Sequence, residues 1–160
     1  QWAAALTLVG DYGDWTGWEV GEVTVLAAAA VWNPAIDGVD YAYDGSVSVM
    51  HNPTGLSLTL SGGAFETETG DTPSNLYGKI GWDTAFWAIG PTGFGIDYTD
   101  GQNINADGDD GTSIGFAAVQ RIDRYGIDLY GQVRSYSLDS ATGPDYRDIT
   151  VATIGTKFTF

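Results

Sequence analysis

The chain has 160 residues, of which 21 are acidic and 6 are basic, so its formal net charge is -15 at pH 7. This balance argues against nucleic-acid binding, because phosphates are bound by clustered lysine and arginine side chains. The sequence has no cysteine, which rules out both a disulfide framework and a thiolate metal site.

Nine segments are predicted as β-strands, because apolar and polar residues alternate along them with a period of two. The alternation is clearest in 56–61 and 127–134. In chain order the predicted strands are 2–12, 17–32, 42–51, 55–66, 75–89, 93–100, 112–122, 127–138 and 148–160. Most have lengths near the roughly 9–11 residues that a tilted strand needs to cross a bilayer, and no apolar run is long enough for a membrane helix.

The breaks between the predicted strands alternate between short turns and long loops. The short breaks are about 13–16, 52–55, 90–93 and 123–126, and the last three are rich in glycine or proline. The long breaks are about 33–40, 67–74, 100–111 and 139–147. This alternation is expected of an antiparallel meander in which one set of strand ends is trimmed and the other is elaborated. We therefore predict that all short turns lie on one side of the sheet.

Strand length, polar-face composition and aromatic placement favour a membrane barrel over a soluble one. A soluble barrel buries its apolar face, whereas a membrane barrel turns that face to lipid and its polar face to water. Aromatic residues near strand ends are expected to form interfacial girdles; they are Trp15, Trp18, Trp82, Phe86, Trp87, Tyr98, Tyr136, Phe158 and Phe160. We expect an all-β fold, a single domain over 1–160 that forms an antiparallel up-and-down transmembrane β-barrel.

The later part of the chain carries segments that are typical of one family. These segments are NLYGKIGW at 75–82, IGPTGFGIDY at 89–98, SIGFAAVQRID at 113–123 and YGIDLY at 125–130. They resemble the late strands of general porins from alphaproteobacteria, and YDGSVSVMHNPTGLSLTL at 43–60 resembles a central hairpin of that family. The closing GTKFTF at 155–160 is similar to the terminal strand signature of outer-membrane proteins.

The resemblance implies a closed barrel of about sixteen strands in the bacterial outer membrane, usually a homotrimer, that passes small hydrophilic solutes and ions by diffusion. Bacterial single-chain barrels have even strand numbers, so nine strands suggest the C-terminal part of a larger barrel. The family's inward-folding constriction loop comes earlier than the matched region and is not expected in this chain. Phe158 and Phe160 are the expected membrane-insertion signal, read by the barrel-insertion machinery.

The resemblance also sets the expected surroundings of the two ends of the barrel. If Phe160 ends on the periplasmic side, the short turns are periplasmic and the long acidic loops are extracellular. The expected partners are then the lipid bilayer and lipopolysaccharide.

The predicted polar faces carry six candidate pore-lining residues, namely Lys79, Asp97, Asp128, Gln132, Arg134 and Lys157. In a lumen such groups set a transverse field and bias ion selectivity. The alternative is that they are ordinary solvated strand residues with no selective role.

One acidic loop partly matches a calcium-binding loop. Oxygen-bearing residues stand at alternate positions, Asn103, Asn105, Asp107 and Asp109, with Gly108 at the sixth position. The twelfth position is Ile114 rather than glutamate, so the motif is incomplete. We favour a solvated loop, with divalent bridging to lipopolysaccharide phosphates as a weaker alternative, and we expect no cofactor.

Catalysis has little support in the sequence, because its only histidine, His51, abuts the turn at 52–53 and no nucleophile-elbow motif is present. We expect no enzymatic activity. Two alternatives to a channel stay open. One is a small eight-stranded structural or binding outer-membrane barrel without a conducting pore, and the other is a soluble acidic β-sandwich that binds a ligand.

Overall fold

Nine β-strands make up most of the chain in this computed structural model, which describes residues 3–11, 22–35, 38–68 and 72–159. The strands are β1 (Ala3–Asp11), β2 (Val23–Trp32), β3 (Val39–His51), β4 (Leu56–Thr67), β5 (Ser74–Trp87), β6 (Gly90–Gln102), β7 (Asp110–Ile122), β8 (Ile127–Asp139) and β9 (Ile149–Phe158). Within these ranges the only helical element is a 3-10 turn at Asp123–Tyr125, and no helix is long and apolar enough to cross a membrane.

The strands form one antiparallel sheet in which each strand pairs with its sequence neighbours, in the order β1 to β9. This order confirms the predicted all-β, up-and-down meander. Over the described residues, β1 and β9 do not pair with each other, so the sheet has two free edges. Closure into a barrel therefore stays a prediction.

The predicted limits of β4 and β8 lie within one residue of the observed limits, whereas the predicted start of β6 differs. The structure has β2 from Val23, which pairs with His51 at the end of β3, and the predicted strand residues 17–21 lie outside the described residues. The predicted short turn at 13–16 lies outside the described residues, so the alternation of short and long breaks is found from β2 to β9. β6 begins at Gly90 rather than at 93, since Pro91 is tolerated at the start of a strand.

The burial pattern of the sheet is the inverse of that in a soluble protein, which buries its apolar side chains. In β4, three leucines at 56, 58 and 60 are exposed, while the serine and the threonine between them are partly buried. One row of cross-strand partners runs through the middle of the sheet, and its members Leu58, Ile80, Ile96, Phe116 and Val133 are 46–57% exposed. Among the side chains that the structure describes, Ala42 is the only buried hydrophobic one. The described sheet therefore has no hydrophobic core of its own.

Candidate functional site: the polar face of the sheet

The strand register places all six predicted pore-lining residues on one face of the sheet. Directly opposed residues of neighbouring strands point to the same side, and Lys79 opposes Asp97 while Asp128 opposes Lys157. Gln132 and Arg134 lie two residues apart on β8 and share that side. We call this side the polar face, and the side that carries Leu58, Ile96 and Val133 the apolar face.

An ion pair between Arg134 and Asp97 lies at the centre of the polar face. The Arg134 Nη2 atom is 2.6 Å from Asp97 Oδ1 and 2.8 Å from Asp97 Oδ2. The Nη1 atom donates a hydrogen bond to the Ser113 hydroxyl at 3.0 Å. The two charged side chains are only 22% and 10% exposed. The pair is therefore partly shielded from water, which strengthens it relative to a surface pair.

Gly115 makes this ion pair possible, because β7 lies between β6 and β8. Gly115 is the cross-strand partner of both Asp97 and Arg134. A Cβ atom at this position would lie 2.6 Å from Arg134 Nη2 and 2.9 Å from Asp97 Oδ2. The absence of a side chain at 115 thus leaves the space through which the guanidinium reaches the carboxylate. Sequence reasoning identified both charged residues but missed this glycine.

Other long side chains of the polar face also lie across glycines. The Lys79 Cε atom is 3.2 Å from the position of a Cβ at Gly95, and an Asp83 carboxylate oxygen is 2.6 Å from that of Gly93. Among the described residues, Lys79 has no carboxylate oxygen within 4.0 Å. The long side chains therefore lie along the sheet instead of standing away from it, and Lys79 presents an unpaired charge there.

The residues of the suspected calcium loop are engaged in hydrogen bonds of their own. Asn103 adopts the left-handed conformation, with φ of 53°, and its Oδ1 atom accepts a bond from the Gly108 N–H at 2.7 Å. The Asn105 amide donates to Asp109 Oδ2 at 3.4 Å. In the described part of the chain, no group of three or more histidine, cysteine or acidic residues could hold a metal ion.

Asp109 fastens this loop to the loop between β8 and β9. The residue is 5% exposed, and its Oδ1 atom accepts hydrogen bonds from the Ser140 hydroxyl at 2.6 Å and the Ala141 N–H at 3.2 Å. These bonds, led by that from Ser140, lower the pKa of the Asp109 carboxyl below its usual value. Because the pKa is lower in the folded protein, Asp109 stabilises the folded state. This stabilisation is fully present above pH 3.8 and is lost as the pH falls through the lowered pKa.

We predict that Asp109→Asn loosens the loop at 140–148. The asparagine oxygen loses the negative charge that strengthens the bonds from Ser140 and Ala141, and its Nδ2 group cannot accept the bond from Asn105. Trypsin should therefore cleave after Arg147 roughly tenfold faster. Mass spectrometry of the digest gives the rate at that bond. Asp139→Asn is the control, because Asp139 is an exposed end residue of β8. Equal rates in both variants would show that Asp109 does not hold the loop.

The aromatic residues are divided between the two faces. Trp82, Phe86 and Phe94 are in mutual contact on the apolar face near the short turns, with ring centroids 5.4–6.2 Å apart. Tyr136, which we expected in an interfacial girdle, lies on the polar face because it is the cross-strand partner of Ser113. An expectation based on distance from the strand end alone could not distinguish the faces.

The remaining residues singled out from the sequence lie apart from the polar face. Phe158 ends β9 beside Ile127 on the apolar face and is 62% exposed. Phe160 lies outside the described residues. The His51 Nδ1 atom is 2.8 Å from the Thr54 hydroxyl, which agrees with its interpretation as a turn residue.

Comparisons with protein-family models, with curated proteins and with solved structures find no match for this chain. The resemblance to general porins therefore stays a prediction from the sequence.

Proposed function

We propose that this sheet is part of the wall of an outer-membrane porin, a passive diffusion channel for small hydrophilic solutes and ions. The apolar face contacts lipid, and the polar face lines the water-filled lumen. The observation that carries this proposal is the inverted burial pattern of β4 and the central row, in which apolar side chains are exposed while Ser57, Thr59 and Asp97 on the other face are partly buried.

The size of the hydrophobic effect supports an apolar medium on one side. A leucine, isoleucine, phenylalanine or valine side chain that stays half exposed in water loses roughly 1 kcal/mol of the free energy that full burial would provide. For the five residues of the central row this loss sums to about 5 kcal/mol, which is comparable with the whole stability of an ordinary domain. Lipid restores this free energy without a protein core, because a bilayer provides the apolar surroundings itself.

The composition of the polar face supports a water-filled lumen over a packed interior. One cross-strand row contains Ser57, Gly81, Gly95 and Ala117, all of them small. The charged side chains of the next row lie along the sheet over glycines. A small closed barrel fills its interior with side chains, whereas the row of small residues leaves space along the face.

We propose that further strands complete the barrel. Backbone groups inside a bilayer must all be paired, so an open sheet edge is not tolerated there, and both β1 and β9 have a free edge in the described sheet. A barrel of about sixteen strands, assembled as a trimer and contacting lipopolysaccharide through its long loops, is the form that the sequence resemblance implies.

The proposal is tested with the whole protein refolded in detergent and added to planar bilayers. We expect stepwise ion conductance and gel migration that changes on heating. A folded, detergent-dependent protein that carries no current would contradict the channel and indicate the structural or binding barrel. Solubility of the folded protein without detergent would contradict both.

A further inference from the structure

A cavity of about 430 Å³ lies on the polar face, close to the long loops. Strands β5 to β8 and the loop at 103–109 line it, and it is open on the side away from the sheet. The side chains that define its walls are Asn75, Thr99, Ile104, Ser113, Tyr136 and Leu138. The volume is within the range of about 300–1,000 Å³ that is typical of small-molecule sites. Nothing in the proposed diffusion channel requires such a cavity.

The floor of the cavity is a pair of opposed glycines. Gly101 and Gly111 are cross-strand partners, and the Ile104 side chain folds back over both. A Cβ atom at Gly101 would lie 2.8 Å from one Ile104 carbon, and a Cβ at Gly111 would lie 2.7 Å from another. The two glycines thus let an apolar loop residue reach into an otherwise polar face.

The loop that carries Ile104 is held in place by hydrogen bonds. The Ile104 N–H donates to the Asp109 carbonyl at 3.0 Å, and the Asn103 amide donates to the Thr72 carbonyl at 3.3 Å. The Asp109 carboxylate ties the same loop to Ser140. The cavity is therefore formed before a ligand arrives, which lowers the entropic cost of binding.

The lining combines apolar surfaces with neutral hydrogen-bonding groups. Carbon atoms, such as those of Ile104, Leu138 and the Tyr136 ring, make most of the accessible lining, and the hydroxyl and amide groups of Thr99, Ser113 and Asn75 contribute only a small part of it. No described lining residue is charged. The nearest cation on the next row, Arg134, is bound to Asp97 and donates to Ser113, so its charge is already neutralised.

The surrounding charge disfavours anions. Acidic residues are concentrated in the loop and strand ends next to the cavity, at Asp100, Asp107, Asp109, Asp110 and Asp139. A carboxylate or phosphate in the cavity would be repelled by these groups. A neutral ring with several hydroxyl groups fits instead, because its C–H face can pack against the carbon surfaces of tyrosine and isoleucine while its hydroxyls stay in contact with lumen water and with the few polar groups of the lining.

We propose that this cavity is a binding site for neutral hydroxylated ring solutes of monosaccharide size, held at the loop end of the lumen before they pass. This proposal rests on the proposed function in one respect, namely that solutes reach the site through the lumen. The channel itself does not depend on the site.

The test uses calorimetric titration of the whole detergent-solubilised protein with D-glucose and with D-glucuronate, which differ by one carboxylate. We expect saturable glucose binding and at least roughly tenfold weaker glucuronate binding. Absence of saturable glucose binding, or equal affinity for the two sugars, would overturn the proposal. Intact conductance alongside absent glucose binding would refute this site and leave the channel standing.

Two variants with matched controls locate the site. Tyr136→Ala should weaken glucose binding roughly fivefold, while Tyr130→Ala, on the same strand and the same face, should not change it. Ile104→Ala alters only a loop residue, so the sheet is preserved, and it should also weaken binding several-fold. Ile89→Ala, in a short turn, is its control. Unchanged affinity in both Tyr136→Ala and Ile104→Ala would contradict the assignment even if glucose binds.

Discussion

Val133→Lys is expected to destabilise the lipid-embedded protein by about 2–4 kcal/mol, the range for a lysine on the lipid face of a membrane barrel near the bilayer centre. Val133 lies in the central row of the apolar face, between Phe116 and Ala152 on the neighbouring strands. The neighbouring change Gln132→Lys places the same side chain on the polar face, and we expect it to alter stability by less than about 0.5 kcal/mol.

The comparison is made by urea unfolding of both variants in lipid vesicles, where the midpoint and slope give the free energy of unfolding. The two residues are adjacent in sequence, so strand position and propensity are matched and only the face differs. In a soluble protein a lysine at the 49% exposed Val133 would be harmless and would raise solubility. Equal stability of the two variants would therefore contradict the lipid-facing assignment.

Gly115→Ala is expected to change ion selectivity far more than stability. A methyl group at 115 would lie 2.6 Å from Arg134 Nη2, so the flexible arginine must leave Asp97. Losing a partly exposed ion pair lowers the free energy of unfolding by about 1 kcal/mol. Alanine in place of a strand glycine raises it by about 0.5–1 kcal/mol. The net change in the free energy of unfolding should be below about 1 kcal/mol.

The displaced Arg134 guanidinium moves away from the wall into the lumen, while Asp97 stays beside Lys79. The permeability ratio should shift toward anions by at least about twofold, measured as the reversal potential across a KCl gradient. Asp97→Asn frees the same guanidinium and should shift the ratio in the same direction. Gly131→Ala is the control, because the nearest atom to its Cβ position is 3.8 Å away, on the apolar face. A ratio in Gly115→Ala equal to that of the parent would show that the pairing does not set selectivity.

Strand positions were largely predictable because they depend on local alternation. The predicted segment 127–138 and the observed β8, Ile127–Asp139, differ by one residue. Glycine and proline at 90–91 indicated a turn, yet the glycine lies in β6 with a φ of 145°.

The candidate site was predictable as a face but not as a set of contacts. Period-two alternation placed Lys79, Asp97 and Arg134 on the polar side, and the register agrees. The ion pair itself joins residues 37 positions apart across an intervening strand, and the bond from Ser140 to Asp109 spans 31 positions. The ion pair depends on the register and on the space above Gly115, and the second bond depends on how two separate loops approach each other. Local sequence patterns encode neither.

The most direct test of the central claim is the environment of two adjacent cross-strand pairs, Gln132 with Thr153 and Val133 with Ala152. The sequence has no cysteine, so single cysteines at these positions can carry a fluorophore without background labelling. In vesicles, nitroxide-bearing lipids should quench labels at 133 and 152, and aqueous iodide should quench labels at 132 and 153. Iodide quenching of all four labels, with none from the lipid, would contradict a sheet that separates lipid from a water-filled lumen.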